Sequence, residues 1–125
     1  MSNTASDDFT TEYLTTWTEP DADTRRGIID RFWAADGRLI ASAPVNATLE
    51  GTDQIAGLIG QVYDENIAAN GLQFTYDQRI DAGDAILLRW SMLTPDGTAV
   101  DRGVEVILRA ADGKIHTDYL FMSVG

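Results

Sequence analysis

The sequence predicts an α+β domain. Helical periodicity is confined to the part before Gly71, strand alternation fills the part after it, and short glycine-containing turns join the strand segments. Helices segregated from a sheet of closely connected antiparallel strands are the signature of that class.

The elements follow in order. Residues 1–7 are small and polar and are expected to fray. From residue 8 the chain reads as one domain to residue 125, with no internal repeat or second-domain boundary. Phe9, Tyr13, Leu14 and Trp17 recur at helical spacing, and Asp7 and Asp8 supply the negative charge that a helix N-terminus favours. Pro20 stops this helix. Asp21 or Asp23 caps a second one, whose apolar residues are Ile28, Ile29, Phe32 and Trp33. Asp36-Gly37 is expected to end it and to lead into a short strand over 38–42. Residues 43–51 read as loop. Thr52 is the expected cap of a third helix with a stripe of Ile55, Leu58, Ile59, Val62 and Tyr63, ended by Asn70-Gly71. Four strands then cover about 72–81, 84–94, 98–110 and 114–123, separated by Gly83, Gly97 and Gly113 turns that read as a meander.

Charge narrows the partners. Nine basic against twenty acidic side chains give a formal net charge of -11, which repels phosphate backbones and anionic lipid headgroups. Nucleic acid and membrane surfaces are therefore not expected as partners. The chain has no cysteine and one histidine, so no metal site or other cofactor is expected. No secretory leader is evident, and a cytoplasmic location is the expectation. The last strands are apolar on both faces, with Val104, Val106 and Leu108 opposite Ile107. One face packs on the helices, and a second copy is the expected cover for the other, giving a homodimer.

Several motifs together resemble the nuclear transport factor 2-like superfamily, and within it the SnoaL-like bacterial proteins. They are Glu12-Tyr13-Leu14-Thr15-Thr16-Trp17, Phe32-Trp33-Ala34-Ala35-Asp36-Gly37, Gly51-Thr52-Asp53-Gln54-Ile55, Arg89-Trp90 and Asp112-Gly113-Lys114-Ile115. The resemblance spans Phe9 to Met122. It implies a cone: three N-terminal helices on a strongly curved, mainly antiparallel sheet whose concave face encloses a pocket, with dimerisation through the convex face. It does not imply one activity, because the superfamily holds isomerases, cyclases, hydrolases and non-enzymatic binders. Function has to be argued from the site.

Against the ketosteroid isomerases, the resemblance puts Tyr13 at the oxyanion-hole tyrosine and Glu105 at the protonated acid that assists it. The isomerase base would fall near Ala41, which cannot accept a proton, so that particular reaction is disfavoured. Residues two apart on a strand share a face, which joins His116 to Asp118, Leu120 and Met122. A histidine oriented by a carboxylate would be a general base. Trp33, Leu88, Trp90 and Met92 are the expected pocket walls, beside Leu120 and Met122.

Each assignment has a plainer alternative. Tyr13 fits a helix core. Glu105 fits an ion pair with Arg89, Arg102 or Arg109. A one-residue register change would turn His116 and Asp118 to solvent. Trp33 and Trp90 fit simple core packing, and Tyr76 is left unassigned. Two functions stay open. One is a pocket for a small apolar or polycyclic organic molecule with proton-transfer chemistry by Tyr13, Glu105, His116 and Asp118. The other is a non-catalytic dimeric binding module.

Overall fold

The structure, a computed structural model, describes the backbone of residues 4–124 and the side chains of residues 9–124. Helix α1 (Thr4–Thr18) is followed by α2 (Ala22–Phe32), strand β1 (Trp33–Ala41), strand β2 (Ala47–Glu50) and helix α3 (Thr52–Val62). A π-helical segment, Tyr63–Ala68, extends α3. Strands β3 (Gln73–Ala82), β4 (Ala85–Leu93), β5 (Ala99–Arg109) and β6 (Ile115–Phe121) complete the chain. Of the segment expected to fray, residues 1–3 lie outside the described residues, while the backbone from Thr4 is helical.

The six strands form one open mixed sheet in the order β2-β1-β6-β5-β4-β3. β1 runs parallel to β6, and the other neighbours are antiparallel. The helices cover one face, as an α+β domain requires. Ile86, Leu88 and Trp90 of β4, Glu105 and Ile107 of β5, and Asp118 and Leu120 of β6 are buried on that face. They meet Phe9, Tyr13 and Trp17 of α1, Ile29 of α2, and Ile55 and Ile59 of α3. Val104, Val106 and Leu108 turn to the other face and are half-buried. The register therefore puts Glu105 inside.

Strand pairing is interrupted by bulges. Asp77 is extra in β3, Val100 in β5, and His116 in β6, while residues 34–37 bow out of β1 opposite β6. Each bulge bends its strand and raises local twist, which curls the sheet around the helices.

Local details differ from the sequence reading for identifiable reasons. α2 stops at Phe32, before Asp36-Gly37, because Trp33 already takes extended geometry, pairs with Ile115 and buries its indole. Gly37 then sits where a Cβ would lie 2.8 Å from the Trp33 ring. Asp21 caps α2 by accepting the Thr24 N–H at 2.9 Å. The cap position of α3 is Gly51 at φ 84°, where glycine is at ease, rather than Thr52. Gln54 Oε1 accepts the Glu50 N–H beside it at 2.9 Å. Strand β2 lies within the expected loop. Only four residues long, it is held by pairing with β1, a tertiary contact with no periodic signal of its own.

Candidate functional site

The site is built from one helix and three strands. α1 carries Tyr13 inward because its stripe of Phe9, Tyr13 and Trp17 packs on the sheet. The Tyr13 ring stacks against Phe9 at 5.6 Å and against Tyr76 at 6.3 Å, and meets Phe32 edge-on at 5.8 Å. These contacts fix the direction of its hydroxyl.

That hydroxyl donates to Asp118 Oδ2 at 3.0 Å and lies 3.4 Å from Glu105 Oε2. Tyr76 donates to the other Glu105 oxygen, Oε1, at 2.9 Å. Register explains the meeting. Tyr76 pairs with Trp90 in β4, Leu88 pairs with Glu105, and Glu105 pairs with Leu120, two residues beyond Asp118 in β6.

The Asp118 and Glu105 carboxyls both face the Tyr13 hydroxyl, 3.0 and 3.4 Å from it, so the two acids are close neighbours in a buried site. Two like charges this close, away from water, disfavour each other's ionised form. Burial, and then the negative charge of Glu105, push the Asp118 carboxyl well above the usual carboxylate range. Its Oδ1 is buried with no hydrogen-bond partner, which a neutral acid tolerates far better than a carboxylate. Burial, and then the nearby Glu105 charge, push both Tyr13 and Tyr76 well above the usual tyrosine range, so both remain neutral donors. Glu105 thus accepts from Tyr76, with the Tyr13 hydroxyl at 3.4 Å from its other oxygen.

Glu105 also forms part of a cavity of about 50 Å³, whose other walls are Leu14, Trp17, Val62, Phe74, Tyr76, Trp90, Met92, Leu120 and Met122. Polar atoms are almost absent from this surface. The free volume corresponds to about four water-sized groups, and the flexible Met92 and Met122 side chains border it.

The structure brings Tyr13, Glu105 and Asp118 into one cluster. It does not bring His116 there. Being the extra residue of the β6 bulge, His116 escapes the two-residue alternation, and its Nδ1 lies 2.9 Å from Thr117 Oγ1. Among the expected walls, Trp90, Met92, Leu120 and Met122 line the cavity. Trp33 and Leu88 are fully buried in the core instead. Glu105 makes no ion pair with Arg89, Arg102 or Arg109 among the described residues. Arg109 lies over the Phe9 ring at 4.8 Å, and Arg89 and Arg102 are exposed. Tyr76, left unassigned from the sequence, joins the cluster through its bond to Glu105 and lines the cavity. The signal available for it was the alternation Phe74-x-Tyr76, which puts both aromatics on one strand face. Among the described residues, no three of His, Asp and Glu converge as a metal-binding group.

The shift at Asp118 has a measurable consequence. The folded protein holds the Asp118 proton to higher pH than the unfolded chain does. This contribution to stability is complete below the ordinary carboxylate pKa of about 3.9 and is lost as pH rises through the folded value. Asp118→Asn keeps the shape and cannot ionise. Its melting temperature is therefore expected to gain on wild type as pH rises from 4 to 9, and a constant difference would contradict this. Asp21, Asp81 and Asp96 lie below the ordinary range through hydrogen bonds from Thr24, Arg79 and Thr94, respectively. Both proteins share these groups, so they cancel in the comparison.

Comparison with solved structures places this geometry among known folds. A candidate isomerase of the SnoaL-like family from Agrobacterium tumefaciens superposes with a TM-score of 0.79 at 24% identity, over 91% of this chain and 93% of the other. A ketosteroid isomerase-like fold from Catenulispora acidiphila, solved with trimethylamine, gives 0.68 at 21% identity, covering 91% and 84%. A candidate SnoaL-like polyketide cyclase from Jannaschia gives 0.68 at 17% identity, covering 90% and 83%. At these identities the likeness shows the fold alone. No curated protein matches the chain. The family comparison matches residues 10–117 to the SnoaL-like domain, so the chain belongs to the SnoaL-like domain family.

Proposed function

We propose that this protein binds a small organic molecule in the apolar cavity and exchanges a proton with it through Glu105. The observation that carries this reading is the single hydrogen-bonded cluster of Tyr13, Tyr76, Glu105 and Asp118 at the wall of that cavity. A carboxylate held by neutral donors in a dry site is a competent general base, and the same donors stabilise it while it waits. Tyr13 and Asp118 act as positioning residues behind it. His116 takes no part. A chain of similar fold was solved with trimethylamine, a ligand of the size this cavity accepts.

The test uses wild-type protein in D2O with small ketones and enones, followed by proton NMR. Exchange of acidic C–H protons faster than in buffer is expected for at least one compound class. A compound that binds without any acceleration would favour the second reading, a non-catalytic binding module. Ala41, buried against Leu120 where related isomerases carry their base, is the observation that favours it.

The face away from the helices supports a homodimer. Ile80 is 50% exposed and Phe121 41%, with Tyr119 beside them and half-buried Leu87, Val104 and Val106 between. Sedimentation is expected to give twice the 13.7 kDa chain mass, and Phe121→Glu to give the single chain. A wild-type monomer would remove the proposal.

A further inference from the structure

We propose that the ligand of this cavity is a small organic ammonium ion, held with its positive charge against Glu105 and its alkyl groups against aromatic rings. This rests on the reading that the cavity takes a small organic molecule beside Glu105, and it adds the ligand's charge.

Three observations converge. The first is an uncompensated negative charge. Among the described residues, Glu105 is the only charged one lining the cavity, and no basic side chain lines it. Its neighbours are the hydroxyls of Tyr76, which donates to it at 2.9 Å, and of Tyr13, at 3.4 Å, and neither brings a positive charge. The arginines nearest the helical layer are engaged elsewhere. Arg25 lies over Tyr63 at 4.8 Å, Arg31 over Phe32 at 5.0 Å, and Arg79 and Arg109 over Phe9 at 5.7 and 4.8 Å.

The second is the wall. Trp17, Phe74, Tyr76 and Trp90 all contribute to a cavity of about 50 Å³. Phe74 and Trp90 meet at 70°, so their rings present differently oriented surfaces to a common space. Aromatic rings attract organic cations through their negative faces, and tryptophan does so most strongly. A hydrated inorganic ion would lose its water to almost wholly apolar walls. An alkylammonium ion keeps its charge and still buries hydrocarbon.

The third is the long-range field. A net charge of -11 raises the local concentration of cations and repels anions. A neutral ligand would satisfy the walls but leave the Glu105 charge facing carbon, and an anion would add repulsion.

The experiment titrates wild-type protein with tetramethylammonium chloride and, separately, with tert-butanol, a neutral molecule of similar shape. Ionic strength is held constant with sodium chloride. Calorimetry gives the affinities, and NMR follows the Trp17 and Trp90 indole N–H signals. Saturable tetramethylammonium binding, at least about tenfold tighter than tert-butanol and shifting both indole signals, is the expected result. Glu105→Gln is expected to remove at least about tenfold of the cation affinity and to leave tert-butanol within about twofold. Equal or tighter binding of tert-butanol by wild type would overturn the ammonium proposal while leaving the small-molecule cavity intact. Saturable binding of neither probe would overturn both. Non-saturating shifts that sodium reproduces would assign the effect to surface charge and overturn the proposal too. The wild-type comparison decides the matter even where the variant fails to fold.

Discussion

The Glu105→Gln variant is expected to lose proton exchange by about 10²–10⁴-fold on any substrate that wild type turns over, while keeping the fold. Glutamine preserves the shape and an acceptor oxygen, so Tyr76 can still donate to the side chain. What it removes is the basic oxygen that would take the proton. Asp118→Asn is expected to behave differently. The asparagine amide still offers an oxygen to the Tyr13 hydroxyl, so exchange should stay within about tenfold of wild type. Asp118→Leu removes that acceptor and should lose more. This order separates a reacting carboxylate from the neutral acid behind it. Equal losses for Glu105→Gln and Asp118→Asn would mean that the two carboxyls react as one unit, and the division between a reacting Glu105 and a positioning Asp118 would be wrong. The measurement is the exchange rate by NMR at saturating substrate, with circular dichroism to check folding.

The second large effect is structural. Gly103 lies opposite Trp90 in the β4–β5 pairing. A Cβ there would come within 2.2 Å of both the Trp90 ring and the Phe121 carbonyl oxygen. A ring can rotate aside, but a backbone carbonyl in a paired strand moves only by distorting β6. Gly103→Ala should therefore destabilise by about 3 kcal/mol or more, the upper part of the overpacking range. For a domain of this size that lowers the melting temperature by about 10 °C. Adding Trp90→Leu relieves the ring but not the carbonyl, so the double variant should recover only part of the loss. A wild-type melting temperature for Gly103→Ala would contradict the close packing of Trp90 on the β5 backbone, and with it the placement of one cavity wall.

The sequence carried the fold better than the site, and particular residues show why. The stripe Phe9, Tyr13 and Trp17 and the alternation through Ile86, Leu88 and Trp90 are local patterns whose period declares both element and face. Glu105 was reached through the resemblance to the ketosteroid isomerases, with an arginine ion pair left open as the alternative, and the strand register buries it beside Tyr13 instead. The place of His116 was not legible. A bulge depends on how many residues the neighbouring strand offers, and nothing in Ile115-His116-Thr117-Asp118 records that Leu108 and Arg109 oppose three residues. Asp118 was joined to the site by the wrong neighbour. The expected partner was His116, two residues away on the strand, and the observed ones are Tyr13 and Glu105, from α1 and β5. Tyr76 shows the same limit. Its hydroxyl has meaning only once β3 lies beside β4 and β4 beside β5.

The account of the buried cluster depends on Asp118 keeping its proton to higher pH than an ordinary carboxyl, beside Glu105 and Tyr13. Carbon-13 NMR of the side-chain carboxyls through a pH titration tests this without any ligand. The Asp118 signal is expected to keep its protonated position well above the pH at which the surface aspartates have ionised, and its transition should also move the Tyr13 resonances. Asp118 titrating with the surface aspartates, with no response at Tyr13, would contradict it.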